Sequence, residues 1–355
     1  MAPRPLAPNR RAFLGGSAAA LAAATVAAPA TLTASPAAAQ SAAEPALTRR
    51  IPSSGEEIPA VGLGTFLAFD LTPGQKRDHL FEVTKRFWEA GGRVVDTSPL
   101  YGAGEITTGD ALIAIGANQQ AFVANKLWST GEFLADDSHA VRSLDQSLGR
   151  LWRDKIDLMQ CHSLVNAEVM IPLMQAWKKE GRIRYVGATH YENPHHAVLA
   201  SWIARGKLDV VQVNYSIFNR AAEETVLKEA EARGCAVLVN MPFEKARLFK
   251  AVEGQPLPAF ARDIGAATWA AFFLKWVLGH PAVTCVIPAT SDPEHASENM
   301  TALHGPLPDA AMRARMARHM ETIPAFAEIG KQPWYPGKRY PGLIARAQAA
   351  IRARG

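Results

Sequence analysis

From Leu47 onward, short β-branched apolar runs alternate with longer stretches whose apolar residues recur at helical spacing, and no Gly/Ser linker of any length interrupts them. The runs cover 60–65, 93–96, 121–126, 156–162, 184–189, 210–215, 236–241 and 284–288. Alternation of this kind predicts parallel strands joined by crossover helices. Behind Asp136-Asp137-Ser138, which supplies an N-cap, Val141, Leu144, Leu148 and Leu151 repeat at three- and four-residue intervals and predict a helix. Ahead of the first run, residues 50–58 with Ser53-Ser54-Gly55 at their centre read as a small β-hairpin.

Eight strands at a spacing of roughly 30 residues fit an α/β chain folded as a (β/α)8 TIM barrel of about 250 residues, with the short N-terminal β-hairpin ahead of it and a C-terminal loop and tail behind. The barrel is then expected over 41–330 and the tail over 331–355. A doubly wound sheet competes with this reading, but its G-x-G-x-x-G turn is absent: Gly62-Leu63-Gly64 runs into Thr65-Phe66-Leu67 with no third glycine. In a barrel, chemistry collects where the strands end. Here the apolar runs keep ending in polar residues: Asp96, Lys126, His162, Thr189-His190, Gln212 and Asn214, and Asn240. Such groups are costly when merely buried and are better explained as one polar mouth.

The 355-residue chain is 48% hydrophobic and 20% charged, which allows one or two full cores and excludes a disordered or collagen-like polymer. Its formal charge is +5, but residues 1–40 carry three arginines and no acid, so thirty-five basic residues face thirty-three acidic ones in the remainder. That balance is no electrostatic footprint for nucleic acid. Cys161, Cys235 and Cys285 are too few and too far apart for a disulfide framework or a zinc knuckle, and read as buried thiols. The N-terminus adds an address. Asn9-Arg10-Arg11-Ala12-Phe13-Leu14, an Ala-rich run to about Ala28 and small residues through Ala37-Ala38-Ala39 form an export signal of twin-arginine type. The mature protein, cut near Ala39, is expected to be exported to the periplasm by the twin-arginine machinery. No later stretch approaches the roughly 20 apolar residues of a membrane span.

The second, third and fourth strands are neighbours in a barrel, so Asp96, Lys126 and His162 should converge near Tyr101 on the loop that follows Asp96. A phenol with a reference pKa of about 10 is a poor proton donor at neutral pH. An adjacent ammonium would lower that value, and Asp96 would hold the ammonium in place. His162 would orient a carbonyl or relay the proton. Such a quartet suits protonation of a carbonyl oxygen while something else delivers to carbon. His195-His196 reads as exposed surface rather than a metal site, because adjacent histidines diverge on a helix.

These residues resemble the aldo-keto reductase family, over about 58–299. The resemblance rests on Val61-Gly62-Leu63-Gly64-Thr65-Phe66, Val95-Asp96-Thr97-Ser98-Pro99-Leu100-Tyr101-Gly102 and Ala124-Asn125-Lys126-Leu127-Trp128. It continues through Ile156-Asp157-Leu158 to His162, Gly181-Arg182-Ile183-Arg184-Tyr185-Val186-Gly187, and Val286-Ile287-Pro288 to Glu298-Asn299. It implies an NAD(P)H-dependent reductase of a small-molecule aldehyde or ketone, monomeric or weakly associated. In that role Tyr101 is the acid, Lys126 its partner, Asp96 the partner of that lysine, and His162 the residue that orients the carbonyl. It places Thr65, Thr189, His190, Gln212, Met241, Pro242, Phe243, Thr290, His295, Glu298 and Asn299 around the cofactor, and Phe66 and Trp128 around the substrate, with no metal.

The chain departs from the family pattern in three regions. Asn240 stands where a tyrosine often stacks on the nicotinamide, and Thr189-His190 replaces the usual Ser-Asn. Ala289-Thr290 and His295 replace the Lys-Ser/Thr and Arg that clamp the 2′-phosphate of NADP, and a histidine cannot form the bidentate fork of an arginine. The cofactor is therefore NADP(H) or NAD(H). Two further readings stay open at this level: a slowly turning-over cofactor-binding redox sensor, and a barrel using Lys126 as a Schiff-base lysine.

Overall fold

The computed structural model describes residues 45–128 and 136–353. The expected export segment, with Arg10-Arg11 and the cleavage point near Ala39, lies outside the described residues. The hairpin forms between β1 (Thr48–Arg50) and β2 (Glu57–Pro59), which pair antiparallel. Its turn closes where the Gly55 N–H donates to the Ile51 carbonyl at 2.8 Å, and Gly55 takes the positive φ of 76° that a residue without Cβ adopts freely.

Eight strands follow: β3 (Leu63–Gly64), β4 (Val94–Asp96), β5 (Phe122–Leu127), β6 (Ile156–His162), β7 (Ile183–His190), β8 (Val210–Asn214), β9 (Ala236–Asn240) and β10 (Cys285–Val286). They form one parallel sheet in sequence order. The sheet closes on itself: Gly62 N–H donates to Val286 O at 2.8 Å, Gly64 N–H to Pro288 O at 2.9 Å, and Val286 N–H to Ala60 O at 2.9 Å. Closure removes the exposed edges that an open sheet leaves. The six inner strands match the expected runs to within a residue at each end. The first and last are shorter than expected. They meet through isolated bridges, Val61 to Val286 and Gly64 to Ala289, and Pro288 has no N–H to extend a ladder.

Side chains alternate between the two faces of each strand. Val95, Val123, Met159, Cys161, Val186, Val211, Val213, Val237 and Val239 pack outward in the main core shared with the surrounding helices. The inward residues change character along the barrel. Val94, Phe122, Leu158, Tyr185, Val210, Ala236 and Cys285 form an apolar cluster, plugged by Ile51 and Ile58 of the hairpin. Higher up the strands stand Asp96, Gln160 and Gln212, then Lys126, His162, Thr189 and Asn240. Register sets these residues side by side across the two levels, Lys126 beside Gln160 and Thr189 beside both His162 and Gln212. The interior thus runs from apolar at the N-terminal end to polar at the C-terminal end.

The helix expected behind Asp136-Asp137 spans Ser138–Leu151 and buries Ala140, Leu144, Ser147 and Leu151, with Val141 and Leu148 packed at the edge of the core. Asp136 accepts from the Ser138 N–H at 2.9 Å. The three cysteines are buried and free, and burial pushes the thiols of Cys161 and Cys235 up to about 12. No helix among the described residues is long and apolar enough to cross a membrane.

Candidate active site

Asp96, Lys126 and His162 end three adjacent strands, and Tyr101 follows on the loop after β4. The Lys126 ammonium donates to Asp96 Oδ1 at 2.6 Å and to the Thr97 carbonyl at 2.9 Å. Both side chains are almost fully enclosed, at 1% and 4% exposure. Asp96 Oδ2 accepts from Gln212 Nε2 at 2.7 Å and from Gln160 Nε2 at 3.4 Å. An ammonium that donates to both groups has no lone pair to offer a carbonyl, which counts against a Schiff base at Lys126.

Tyr101 lies over this pair. The Lys126 Nζ is 4.9 Å from the centre of its ring, and Phe66 packs on it at 4.9 Å between ring centres. The expected lowering of its pKa by Lys126 is not found. Burial, followed by the Asp96 charge, pushes the phenol well above its usual value. The physical reason is that Lys126 is already neutralised by Asp96, so the phenol meets an ion pair rather than a free cation. It therefore stays protonated through neutral pH. On its other side His162 meets the phenol edge-on, 6.1 Å between ring centres. Ser98 Oγ lies 3.2 Å from His162 Nδ1 and accepts from the Leu100 N–H at 3.2 Å. With Ser98 donating to Nδ1, the imidazole carries its proton on Nε2. Burial, then Lys126 and His190, draws the His162 pKa down to about 3, so the ring is neutral.

These groups open into a cavity of about 720 Å³ at the C-terminal ends of the strands. Every residue given a catalytic, cofactor or substrate role from the sequence lines it except Trp128, which sits just before 129–135 and is not among its described lining residues. Phe66 does line it.

On one wall, Thr189 Oγ1 and Asn240 Nδ2 donate to Gln212 Oε1 at 3.1 and 3.3 Å, and Gln212 passes the chain on to Asp96. Gln212, expected to hold the cofactor, is thus occupied on both ends of its amide. Asn240 lines this cavity, and its Oδ1 is buried with no partner among the described residues, which leaves an acceptor for an N–H such as that of a carboxamide. His190 Nδ1 accepts from the Glu192 N–H at 3.1 Å, which leaves the ring proton on Nε2 as a donor. The donor set therefore suits a primary carboxamide, one acceptor for its N–H and one donor for its oxygen.

At the far end, Thr290, His295, Glu298 and Asn299 line the same cavity. His295 Nδ1 lies 3.8 Å from Asp292 Oδ2. His195 is half-exposed, but His196 is buried and bonds Asn214 at 2.8 Å, which corrects the reading of both as surface. Asn214 accordingly turns away from the mouth. His190, Glu192 and His195 bring three donor atoms within 4.8 Å of one another. The two rings are stacked 3.7 Å apart and nearly parallel, so no ion could lie in the plane of both.

The site also uses residues not foreseen. Gln160, two before His162 on β6, shares its inward face, a period-two signal that could have found it, whereas Ser98 lies on the loop after β4, where no such period holds. Trp334, Tyr335, Lys338 and Tyr340 come from the tail, which no local pattern connects to the barrel.

A (β/α)8 barrel with a buried Asp–Lys pair, a protonated phenol and a neutral imidazole at its mouth defines a class of proton-donating enzyme site. The model of the Aldo/keto reductase family matches residues 60–317, and the chain belongs to that family. It is 29% identical over 192 residues to the aldo-keto reductase YhdN of Bacillus subtilis, a match spanning 51% of this chain and 57% of that protein. The chain therefore spans little more than half the length of that relative. It is 25% identical over 281 residues to the NADH-specific methylglyoxal reductase of Escherichia coli, covering 65% of this chain and 85% of the other. An aldo/keto reductase from Klebsiella pneumoniae, solved with NADP and acetate, shares the fold at a TM-score of 0.63 and 22% identity, over 82% of this chain and 96% of that one.

The His162 imidazole contributes stability that depends on pH. Its folded pKa of about 3 lies below the ordinary 6.5, so the unfolded chain takes up the proton first as pH falls. That contribution is fully present above pH 6.5 and is lost as pH falls toward 3. The melting temperature is expected to drop less steeply between pH 6.5 and 4 in His162→Gln than in the wild type. Identical slopes in a calorimetric series would show that the ring is not buried neutral.

Proposed function

We propose that this protein reduces a small-molecule aldehyde or ketone to the alcohol at the expense of NADH or NADPH. The observation that carries the reading is a half-buried Tyr101 phenol, kept protonated, that lines the same cavity as Asn240, whose buried Oδ1 has no partner among the described residues. A bound nicotinamide would supply two electrons and a hydrogen to the carbonyl carbon. Asn240 and His190 fit its carboxamide, and Thr290, His295, Glu298 and Asn299 its adenosine end.

The chain's own residues handle the oxygen. His162 Nε2–H and the Tyr101 hydroxyl point a carbonyl oxygen at the mouth. As negative charge develops there, the phenol gives up its proton, because an alkoxide is a far stronger base than a phenolate. The ammonium of Lys126 stays beside the phenol ring, and Asp96 keeps it from moving. The phenolate regains a proton from solvent. One carbonyl, one reduced nicotinamide and one proton give one alcohol and one oxidised nicotinamide.

Tyr101→Phe is expected to lower turnover by about 10²- to 10⁴-fold, the range for loss of a general acid, while NADH or NADPH fluorescence still reports cofactor binding. A variant with undiminished turnover would refute this assignment. A wild type that binds cofactor but turns over no carbonyl would favour the sensor.

The carboxylate of Asp292 beside His295, and the lack of an arginine at these positions, oppose a 2′-phosphate. NADH is therefore expected to serve at least as well as NADPH, and His295→Arg should shift the ratio of kcat/KM values toward NADPH. A wild type strongly selective for NADPH would contradict this.

We also propose export through the twin-arginine route, which moves folded proteins and would let the barrel cross with its nucleotide bound. The support is Arg10-Arg11 and the small-residue stretch ending near Ala39. Fractionation should find a shortened chain in the periplasm, and Arg10→Lys with Arg11→Lys should hold the full chain inside. Unprocessed wild type in the cytoplasm would end the proposal.

A further inference from the structure

The chain's charge is divided unevenly. Residues 331–355 hold six of the thirty-eight Lys and Arg and none of the thirty-three Asp and Glu. With the three arginines of 1–40 set aside, twenty-nine basic residues face thirty-three acidic ones over 41–330. An acidic barrel thus ends in a basic tail, an asymmetry that points to an anionic partner for the tail.

That tail closes with the helix Leu343–Arg352, and only the start of the helix is held by the barrel. The Ile344 N–H donates to Asp70 Oδ2 at 2.7 Å. Gly342 is buried so closely against the same residue that a Cβ there would lie 2.0 Å from the Asp70 carbonyl oxygen. From Arg346 to Ile351 every residue is exposed. A helix of ten residues that buries so little of itself is marginal in water, since most helical stability comes from packing an apolar face.

Here the apolar face looks outward. Leu343, Ala347, Ala350 and Ile351 form one stripe along the helix, and Leu343 and Ile351 are 47% and 68% exposed. Half-buried Ile344, and Gln348, which lines the active-site cavity, mark the side toward the barrel. Lys331 pairs with Glu328 at 2.7 Å, but Lys338, Arg339 and Arg346 have no carboxylate within ion-pair distance among the described residues. Arg339 also lines a cleft of about 330 Å³ with Lys76 and His79, and no acid is among its described lining residues. Pro341, two residues ahead of the helix, lines the same cleft, so these cations border the start of the stripe.

We propose that the C-terminal segment docks this protein on an anionic lipid bilayer. Leu343 and Ile351 enter the headgroup region, and the cations of the tail and the cleft meet lipid phosphates. An apolar stripe flanked by cations, with no acid, is what a helix lying in the plane of such a surface requires. Nucleic acid would match the cations but leave the stripe in water, and a second copy docked stripe to stripe would bring like charges together. The acidic barrel is repelled by the same surface, so the molecule approaches it tail first. At ten residues the helix is about 15 Å long and lies on the bilayer without spanning it. The inference stands apart from the reductase reading.

The test adds vesicles of phosphatidylcholine, alone or with about 30% phosphatidylglycerol, to the full chain at low and high salt. Because residues 1–40 also carry arginines beside an apolar run, the readout is local to the helix. Amide hydrogen exchange over 343–352 should slow at least about tenfold on the anionic vesicles at low salt, and much less on neutral vesicles or at high salt. The slowing should fall below about twofold in Leu343→Ser with Ile351→Ser, and in Arg339→Gln with Arg346→Gln. All four side chains are exposed, so the melting temperature without lipid should not change in either variant. Exchange indifferent to anionic vesicles overturns the proposal, and so does equal slowing on neutral ones. Slowing that survives loss of Leu343 and Ile351 would reduce the effect to general attraction between charges and refute docking through the stripe. Slowing without lipid as protein concentration rises would assign the stripe to a second copy, and equal slowing with duplex DNA would assign it to nucleic acid; either result also refutes it.

Discussion

The buried pair of Asp96 and Lys126 is the constraint around which the mouth of the barrel is organised. Removing two full charges from water costs several kcal/mol per ion, and their attraction offsets that only when the remaining donors and acceptors are satisfied. Here they are. Asp96 takes Lys126 on one oxygen and Gln212 and Gln160 on the other, and Lys126 also reaches the Thr97 carbonyl. These partners come from β4, β5, β6 and β8, and Gln212 extends the network to Thr189 of β7 and Asn240 of β9. The polar ends of six strands are consequently one hydrogen-bonded object. Deleting either charge would leave the other enclosed without a counter-ion, so the group is expected to behave as a unit rather than as a sum of residues.

The same pairing decides the state of the Tyr101 phenol. A free ammonium beside Tyr101 would favour phenolate, but an ammonium already bound to a carboxylate presents little net charge, and burial then dominates. A phenol that stays protonated until an alkoxide forms beside it is a donor that does not lose its proton to solvent beforehand. The neutral His162 follows the same logic, because a charged imidazole next to Lys126 would be repelled and desolvated at once. The apolar lower barrel, sealed by Ile51 and Ile58, keeps water from the underside of this assembly.

Much of this was legible in short windows of sequence. The eight strands announce themselves by apolar runs, and the polar residues at their ends line up because parallel register leaves them no other place. Asp96, Lys126 and His162 stand at the strand ends where that reading puts them, with Tyr101 on the loop after β4. The failures have a common cause. The pKa of Tyr101 depends on a charge being cancelled by another residue, a three-body effect that residue types do not reveal. His196 was read as surface because two adjacent histidines look alike, yet only the second faces the core and meets Asn214. Trp128 lies at a strand end but outside the described lining of the cavity. The tail's place over the mouth depends on contacts with residues hundreds of positions away.

Asp70 shows how that last kind of contact works. Its carboxylate is fully buried, with no cationic side chain in ion-pair distance among the described residues. One oxygen accepts from the Ala103 N–H at 3.0 Å and the other from the Ile344 N–H at 2.7 Å. The first is at the start of the helix Gly104–Ala114, just after Tyr101, and the second at the start of the helix Leu343–Arg352. A carboxylate at a helix N-terminus is stabilised by the peptide dipoles and the unpaired N–H groups there, and this one serves two helices at once. It ties the loop that carries Tyr101 to the C-terminal segment that begins the last helix, so neither can shift without disturbing the other. The chemistry of the mouth thus belongs to elements that declare themselves locally, while its shape is settled where segments distant in the chain meet on a single buried charge.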